Sequence, residues 1–307
     1  MKSWSFSKTN RDRRPFRVEL NLLLIPAFII LLMLSAVSPP AFADNTLRIS
    51  AKQLKETLNQ PGLVVLDVRS KEEYAKEHIP GAFNFPETQS YHDKSLDGRI
   101  VQPQAMQTYL QAIGITVDTS LVIYDQGNLT DAARVFWTLE VYGLHDVKVL
   151  DMGLNHWKKL NLATTSILPE AKSSHYIPVI NHERLATKLS TLIATKNPNQ
   201  QVIDTRSQEA YEGKVSTAKR FGHIITAINI PAQENLTQQQ GMTRFKSKQE
   251  LESLYGGLSK DHKIILYCSL GHISATNYLT LRELGFNVAN YDASWNEWGN
   301  DFSLPIE

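Results

Sequence analysis

The sequence has little cysteine, since Cys268 is the only one in 307 residues. A single cysteine excludes an intramolecular disulfide and the zinc sites built from several thiolates. The nine histidines show no zinc-ligand spacing and no Gly-rich phosphate loop occurs, so we expect neither a metal nor another cofactor. Lys and Arg number 32 against 31 Asp and Glu, which gives no excess of basic charge for binding nucleic acid.

Residues 1–43 have the composition of an export signal. A basic head precedes an apolar run from Leu22 to Val37, and Ala41-Phe42-Ala43 fits the small-x-small pattern of signal peptidase sites. We predict cleavage after Ala43, a periplasmic or secreted protein, and no membrane association afterwards. The export route, Sec or twin-arginine, stays open. The alternative is an uncleaved anchor, because the uncharged stretch that starts at Leu20 is just long enough to span a bilayer.

The rest of the chain is an internal repeat. The stretch LVVLDVRSKEEY at Leu63 to Tyr74 matches QVIDTRSQEAY at Gln201 to Tyr211, and the segment from Leu121 to Trp157 aligns with that from Ile264 to Trp298. In both copies, apolar runs rich in Val, Ile and Leu alternate with helical patterns. This alternation predicts an α/β protein of two tandem domains, each a parallel sheet with helices on both faces.

The repeat also sets the expected domain bounds. We assign residues 45–160 to the N-terminal domain and residues 177–307 to the C-terminal domain. Residues 161–176 between them have the composition of a linker, with Thr164, Thr165, Ser166, Pro169, Ser173 and Ser174.

The alignment of the copies sets Cys268 against Asp125. Each residue follows an apolar strand and precedes a short loop and a helical pattern. Backbone N–H groups of such a loop, together with the helix N-terminus, form a bowl that stabilises an anion. A cysteine there is biased toward the nucleophilic thiolate, whereas a carboxylate cannot attack sulfur. We therefore predict a catalytic second domain and a catalytically silent first domain. The alternative is that Cys268 is an inert core residue, because free cysteines are among the most buried residues.

At this point the sequence resembles the tandem-domain rhodanese family, the thiosulfate and 3-mercaptopyruvate sulfurtransferases. The resemblance covers about residues 46–298. It rests on the Asp-x-Arg and His-Ile landmarks of both copies, on Tyr267-Cys268 with its loop, and on the stretch from Asp292 to Trp298, which is close to the family's Asp-Gly-Ser-x-x-Glu-Trp.

The resemblance implies a sulfurtransferase that carries sulfur as a persulfide on Cys268. The sulfur would come from thiosulfate or a related small donor and go to a thiophilic acceptor such as cyanide, a small thiol or a protein thiol. The loop would bind the substrate through its backbone N–H groups, and Arg220 would supply positive charge. The implied substrate-binding residues are Ser269, Leu270, Gly271, His272, Ile273, Ser274 and Arg220.

The loop departs from both family patterns, which leaves alternatives open. It lacks the Cys-Arg-Lys-Gly-Val-Thr of thiosulfate enzymes and the Cys-Gly-Ser/Thr-Gly-Val-Thr of mercaptopyruvate enzymes, and Ala210 stands where many members have a substrate-binding Arg. We favour thiosulfate or a related donor over 3-mercaptopyruvate. The second hypothesis is a non-catalytic rhodanese-like module that binds a partner or a sulfur species without turnover.

Overall fold

The computed structural model describes residues 46–95 and 97–307, together with Met1. The predicted signal segment, residues 1–43, lies outside the described residues apart from Met1, so signal cleavage stays a prediction.

The first domain alternates strands and helices. Its elements are β1 (Arg48–Ile49), α1 (Ala51–Thr57), β2 (Leu63–Asp67), α2 (Lys71–Lys76), β3 (Phe83–Asn84), a 3-10 turn (Glu87–Ser90), α3 (Pro103–Ala112), β4 (Ser120–Tyr124), α4 (Thr130–Val141), β5 (Val147–Leu150) and α5 (Gly153–Lys159).

The second domain repeats this order and inserts a hairpin. Its elements are β6 (Leu185–Ala186), α6 (Lys188–Ala194), β7 (Gln200–Asp204), α7 (Gln208–Tyr211), β8 (Ile228–Asn229), a 3-10 turn (Ala232–Asn235), β9 (Leu236–Gln239), β10 (Met242–Phe245), α8 (Lys248–Leu254), β11 (Lys263–Tyr267), α9 (Ser274–Glu283), β12 (Asn287–Tyr291) and α10 (Ser294–Trp298).

Each domain is built on a five-stranded parallel sheet. The strand orders, β1-β5-β4-β2-β3 and β6-β12-β11-β7-β8, are the same topology in two copies. The central strand β4 is buried along its whole length, as its unbroken apolar sequence predicts. The prediction of two tandem α/β domains is confirmed. The antiparallel hairpin of β9 and β10 interrupts the second copy and was not predicted.

The Asp-x-Arg landmark forms the same turn in both domains. In the first, the carboxylate of Asp67 accepts hydrogen bonds from the Arg69 guanidinium and, at 2.6 Å, from the Tyr124 hydroxyl. Asp204 makes the matching bonds with Arg206 and Tyr267 in the second. Because the domain with Asp125 and the domain with Cys268 share this network, it shapes the strand-to-helix turn.

The two domains pack through their longest central helices. Residues 132–141 of α4 are all buried, and α4 and α9 belong to one apolar cluster that runs through both domains. Buried Glu140 of α4 accepts hydrogen bonds from the hydroxyl of Tyr278 at 2.6 Å and from the guanidinium of Arg282 at 2.9 Å. This contact brings the loops that precede α4 and α9 to the same side of the interface.

Across the described part of the chain, no helix combines the length and the apolar character that crossing a bilayer requires.

Candidate active site

Cys268 lies where the sequence predicted, at the carboxyl end of β11 and before the loop that leads into α9. Its side chain is 1% exposed. The hydroxyl of Ser274, the first residue of α9, donates a hydrogen bond to its Sγ at 3.5 Å. The only cysteine is therefore buried, and among the described residues one side-chain donor is directed at its sulfur.

The backbone around the thiol is held by the N-terminal end of α10. The N–H of Cys268 donates to Oγ of Ser294 at 3.1 Å, and its carbonyl accepts from the N–H of Trp295 at 3.0 Å. The carbonyl of Ser269 accepts from the N–H of Asn296 at 3.0 Å. Through these bonds the stretch that contains Ser294 and Trp295 packs against the thiol loop. They fix the position of the Cys268 backbone at the start of that loop.

The loop leaves its own donors available. Within the described residues, the N–H groups of residues 269–274 have no protein acceptor, whereas four carbonyls of the same loop are bonded, those of Ser269, Gly271, His272 and Ile273. Gly271 makes the tight curve possible, because it has φ +67° and a Cβ there would lie 2.5 Å from the carbonyl oxygen of Asp292. A curved loop with free N–H groups around a sulfur is suited to binding an anion.

Asp125 shows what the corresponding loop of the first domain binds. Its carboxylate accepts hydrogen bonds from the N–H groups of Gly127 at 2.7 Å and Ala132 at 3.2 Å. Burial raises the pKa of Asp125 to about 7, against the lowering effect of these N–H donors. The first domain thus fills its own cradle with a carboxylate, while the second holds a thiol and free donors.

The first domain also supports the thiol loop directly. Arg134 of α4 is buried, and its Nη1 donates to the carbonyl of Gly271 at 2.9 Å. The same guanidinium donates to the carbonyl of Gly98 at 3.2 Å and lies over the rings of Tyr91 and Trp137 at 4.1 and 4.4 Å from their centroids. A charged side chain of the first domain therefore holds the loop that follows Cys268 in place.

His272 points toward the first domain, where two carboxylates meet it. Its Nε2 lies 2.9 Å from Oδ1 of Asp131 and 3.4 Å from Oε1 of Glu87. Although burial raises the pKa of Asp131, hydrogen bonds from His272 and Asn128 lower it overall. The sequence predicted that His272 would serve the substrate, but the structure shows its imidazole bound within this interdomain cluster.

The same cluster presents three groups that could ligate a metal. Ligand atoms of Glu87, Asp131 and His272 lie within 4.8 Å of one another. Nζ of Lys94 already contacts the Glu87 carboxylate at 2.8 Å, which places a positive charge where a cation would compete. We interpret the cluster as an ion-pair network between the domains.

The other loop residues directly follow Cys268 and their substrate-binding role stays a prediction, whereas Arg220 lies elsewhere. Leu270 packs against Gly98 of the first domain, and Ile273 precedes α9. The guanidinium of Arg220 instead donates to the carbonyls of Trp298, Asp301 and Leu304 at 2.6–2.8 Å. Its donors hold the C-terminal segment, so the substrate-binding role expected for Arg220 is not supported.

Sequence reasoning missed the residues that the first domain contributes. They are Glu87, Tyr91, Lys94, Asp131 and Arg134. One signal was available: Arg134 interrupts an otherwise apolar run on α4, and a charged residue there requires a buried partner.

The family model described as a rhodanese-like domain matches residues 50–160 and 185–301. The chain belongs to the rhodanese family. Its relatives include 3-mercaptopyruvate sulfurtransferase of Escherichia coli, 29% identical over 86% of this chain and 99% of the relative, and a putative thiosulfate sulfurtransferase of Saccharopolyspora erythraea, 31% identical over 84% and 95%.

A solved rhodanese structure supports the same assignment. SseA from Escherichia coli, described among the 3-mercaptopyruvate sulfotransferases, matches with a TM-score of 0.71 and 29% identity over 81% of this chain and 99% of its own. Some relatives are named for thiosulfate and others for 3-mercaptopyruvate, and relatives of both kinds match over the two rhodanese domains. The protein is a tandem-domain rhodanese sulfurtransferase.

Proposed function

We propose that this rhodanese moves a sulfane sulfur from thiosulfate, or a related small anionic donor, through a persulfide on Cys268 to a thiophilic acceptor. The observation that carries the proposal is the free N–H cradle around a single buried thiol, beside a sister cradle that holds the carboxylate of Asp125.

In the first half-reaction, the thiolate of Cys268 attacks the outer sulfur of the donor. A new S–S bond forms, the sulfur–sulfur bond of thiosulfate breaks, and sulfite leaves with the bonding electron pair. The Ser274 hydroxyl, 3.5 Å from Sγ, and the free N–H groups of the loop stabilise the negative charge during this exchange.

In the second half-reaction, the acceptor attacks the outer sulfur of the persulfide. Cyanide becomes thiocyanate and the electron pair of the broken S–S bond returns to Cys268, so the enzyme regains its thiolate. A protein or small-molecule thiol reacts in the same way and becomes a persulfide. Because the two half-reactions share one covalent intermediate, the kinetics are ping-pong.

The identity of the donor is the finer part of the proposal. The loop lacks the basic pair of thiosulfate enzymes, and the Escherichia coli relative is named for 3-mercaptopyruvate. With 3-mercaptopyruvate, the thiolate would break a carbon–sulfur bond and the departing pyruvate enolate would take up a proton. We place thiosulfate first and keep 3-mercaptopyruvate as the second donor.

We further propose that the enzyme works in the periplasm or outside the cell, after removal of residues 1–43. The support is the basic head, apolar run and small-x-small site of the sequence. The mass of the protein purified from the producing cell tests this, because an uncleaved anchor would retain the first residues.

The rival function is a binding module without turnover. The nearly complete burial of Cys268 favours it, because a nucleophile must meet its substrate. In that case the loop after Cys268 would bind a partner or a sulfur species, and no sulfur would be transferred.

Cyanide-dependent formation of thiocyanate by residues 44–307 separates these functions. We expect turnover with thiosulfate and none in Cys268→Ser. Mass spectrometry of the wild type after incubation with thiosulfate should show a gain of about 32 mass units on Cys268, one sulfur atom. A folded protein that neither turns over nor gains sulfur with either donor would favour the binding module.

A further inference from the structure

Tyr91 of the first domain carries an unexplained buried hydroxyl. The residue follows the 3-10 turn Glu87–Ser90 and is 4% exposed. Its Oη has no hydrogen-bond partner among the described residues. Buried phenols normally find a partner, because an unbonded hydroxyl loses its hydration without compensation. A group that the folded chain does not supply would complete this site.

The ring of Tyr91 lies against the machinery of the thiol loop. The guanidinium of Arg134 covers its face at 4.1 Å from the centroid, and the same guanidinium bonds the carbonyl of Gly271. The ring of His272 meets Tyr91 edge-on, with 6.5 Å between centroids. Two residues thus connect Tyr91 to the loop that begins at Cys268.

The surroundings keep the phenol protonated. Burial raises the pKa of Tyr91 above its ordinary value, Arg134 opposes this, and the charges of Glu87 and Cys268 raise it further. The Glu87 carboxylate, which Lys94 binds at 2.8 Å, raises the pKa of Tyr91 as a neighbouring acceptor, although no hydrogen bond of ordinary geometry joins it to Oη. The hydroxyl is therefore a protonated donor that has no acceptor among the described residues.

We propose that Tyr91 is a substrate-binding residue whose hydroxyl donates a hydrogen bond to the anionic group that leaves the sulfur donor at Cys268. The proposal rests on the proposed function. It names the ligand as a small sulfane-sulfur compound with an anionic leaving group, and it gives the silent domain a direct role in the chemistry.

The proposed bond acts in one half-reaction only. When the sulfur–sulfur bond of the donor breaks, the leaving group takes the electron pair and its negative charge grows. A hydrogen-bond donor that is already in place therefore stabilises this transition state more than it stabilises the bound sulfur compound. Once the leaving group has departed, Tyr91 has no bond to make during transfer to the acceptor.

Tyr91→Phe tests this directly. We expect kcat/KM for thiosulfate to fall on the order of 10- to 100-fold, the effect of one hydrogen bond to a charged group. We expect kcat/KM for cyanide to stay unchanged, because in ping-pong kinetics it reports the second half-reaction. The melting temperature should stay the same or rise, since no protein hydrogen bond is lost.

Tyr142→Phe is the matched control. Its hydroxyl is buried in the same domain but donates to the carbonyl of Val101. This variant should lower the melting temperature and leave both kcat/KM values unchanged. An equal fall of both kcat/KM values in Tyr91→Phe, unchanged kinetics, or a lowered melting temperature without selective loss of donor turnover would overturn the proposal.

A second measurement does not depend on turnover. The alkylation rate of Cys268 is compared for iodoacetate, an anion, and iodoacetamide, its neutral analogue, by mass spectrometry. We expect Tyr91→Phe to lower the iodoacetate-to-iodoacetamide rate ratio severalfold and Tyr142→Phe to leave it unchanged. If wild type fails to transfer sulfur, the proposed function falls, while this ratio still supports or overturns the role of Tyr91.

Discussion

Nη1 of Arg134 in the first domain donates a 2.9 Å hydrogen bond to the carbonyl of Gly271 in the second, across the domain interface. The arginine is buried, and the carbonyl belongs to the loop between Cys268 and α9. A domain without a nucleophile therefore shapes the loop that carries one. This contact gives a physical reason for keeping the first copy, because the thiol loop is held by a side chain of its neighbour.

Arg134→Met should destabilise the protein and impair sulfur transfer together. Methionine fills part of the volume but removes the buried donor to the carbonyls of Gly98 and Gly271, and only the second of these keeps another donor, Nδ2 of Asn290 at 3.0 Å. We expect a loss of about 2–4 kcal/mol in the free energy of unfolding, measured in urea, and a lower kcat/KM for the donor.

Arg99→Met is the control, because Arg99 also bonds across the domain interface but is exposed to solvent. Arg99 pairs with Glu297 at 2.9 Å, but its side chain is 55% exposed. Exposed ion pairs contribute about 0–1 kcal/mol, so this variant should lose little stability. Equal losses in Arg134→Met and Arg99→Met would contradict the structural role given to the buried guanidinium.

Gly271→Ala should distort the thiol loop. Glycine here has φ +67°, and an added Cβ would lie 2.5 and 2.6 Å from backbone atoms of Asp292. Backbone strain alone costs about 1 kcal/mol, and the clash with main chain adds to it. We expect a loss of about 3 kcal/mol in unfolding free energy and a strong loss of thiocyanate formation.

Gly285→Ala separates strain from clash. Gly285 has φ +81°, but its added Cβ would meet no atom within 4 Å. We expect a loss of about 1 kcal/mol and normal turnover. If the two alanine variants lose equal stability, the close approach of Gly271 to Asp292 does not control the loop.

Much of this fold could be predicted because its signals are local and occur twice. The apolar strands, the Asp-x-Arg turns and the alignment of Cys268 with Asp125 all follow from short stretches of sequence. The resemblance to the rhodanese family then gave the loop residues their roles.

The parts that could not be predicted depend on packing between distant residues. His272 and Asp131 lie 141 positions apart, and nothing in either local sequence indicates that they meet. Arg220 looked available because it precedes Gly222-His223, but its partners belong to the C-terminal segment. An arginine near a motif binds a ligand only when its N–H groups are not already bonded to the protein, and the sequence does not show whether they are.

Asp125 should make stability depend on pH between about 4 and 7. Its pKa rises from the ordinary aspartate value of 3.8 to about 7 in the fold, so the native state holds the proton more tightly than the unfolded state. The resulting stabilisation is fully present below pH 3.8 and is lost as the pH rises through about 7. Urea unfolding of wild type minus Asp125→Asn should show this decline, because the asparagine cannot titrate.

Asp301→Asn is the control with the opposite sign. Hydrogen bonds from Ser303 and Lys188 lower the pKa of Asp301 to about 2, so its contribution is present above pH 3.8 and lost below it. The difference between wild type and Asp301→Asn should therefore stay flat from about pH 4 to 7. A flat difference for Asp125→Asn over the same range would contradict the raised pKa of Asp125.

Ser274→Ala should slow the reaction of Cys268 with alkylating agents. The Ser274 hydroxyl is the side-chain donor to Sγ, at 3.5 Å, and the thiolate is the form that reacts. Without this donor the negative sulfur is less stabilised, and we expect alkylation by iodoacetamide at pH 7 to slow by roughly 3- to 10-fold, the value of one hydrogen bond.

Ser294→Ala is the contrast, because Oγ of Ser294 accepts a hydrogen bond from the N–H of Cys268 rather than facing its sulfur. That variant should lose about 1 kcal/mol of stability and keep the alkylation rate. Equal slowing in both variants would mean that loop position, and not the hydrogen bond to sulfur, governs the reactivity of the thiol.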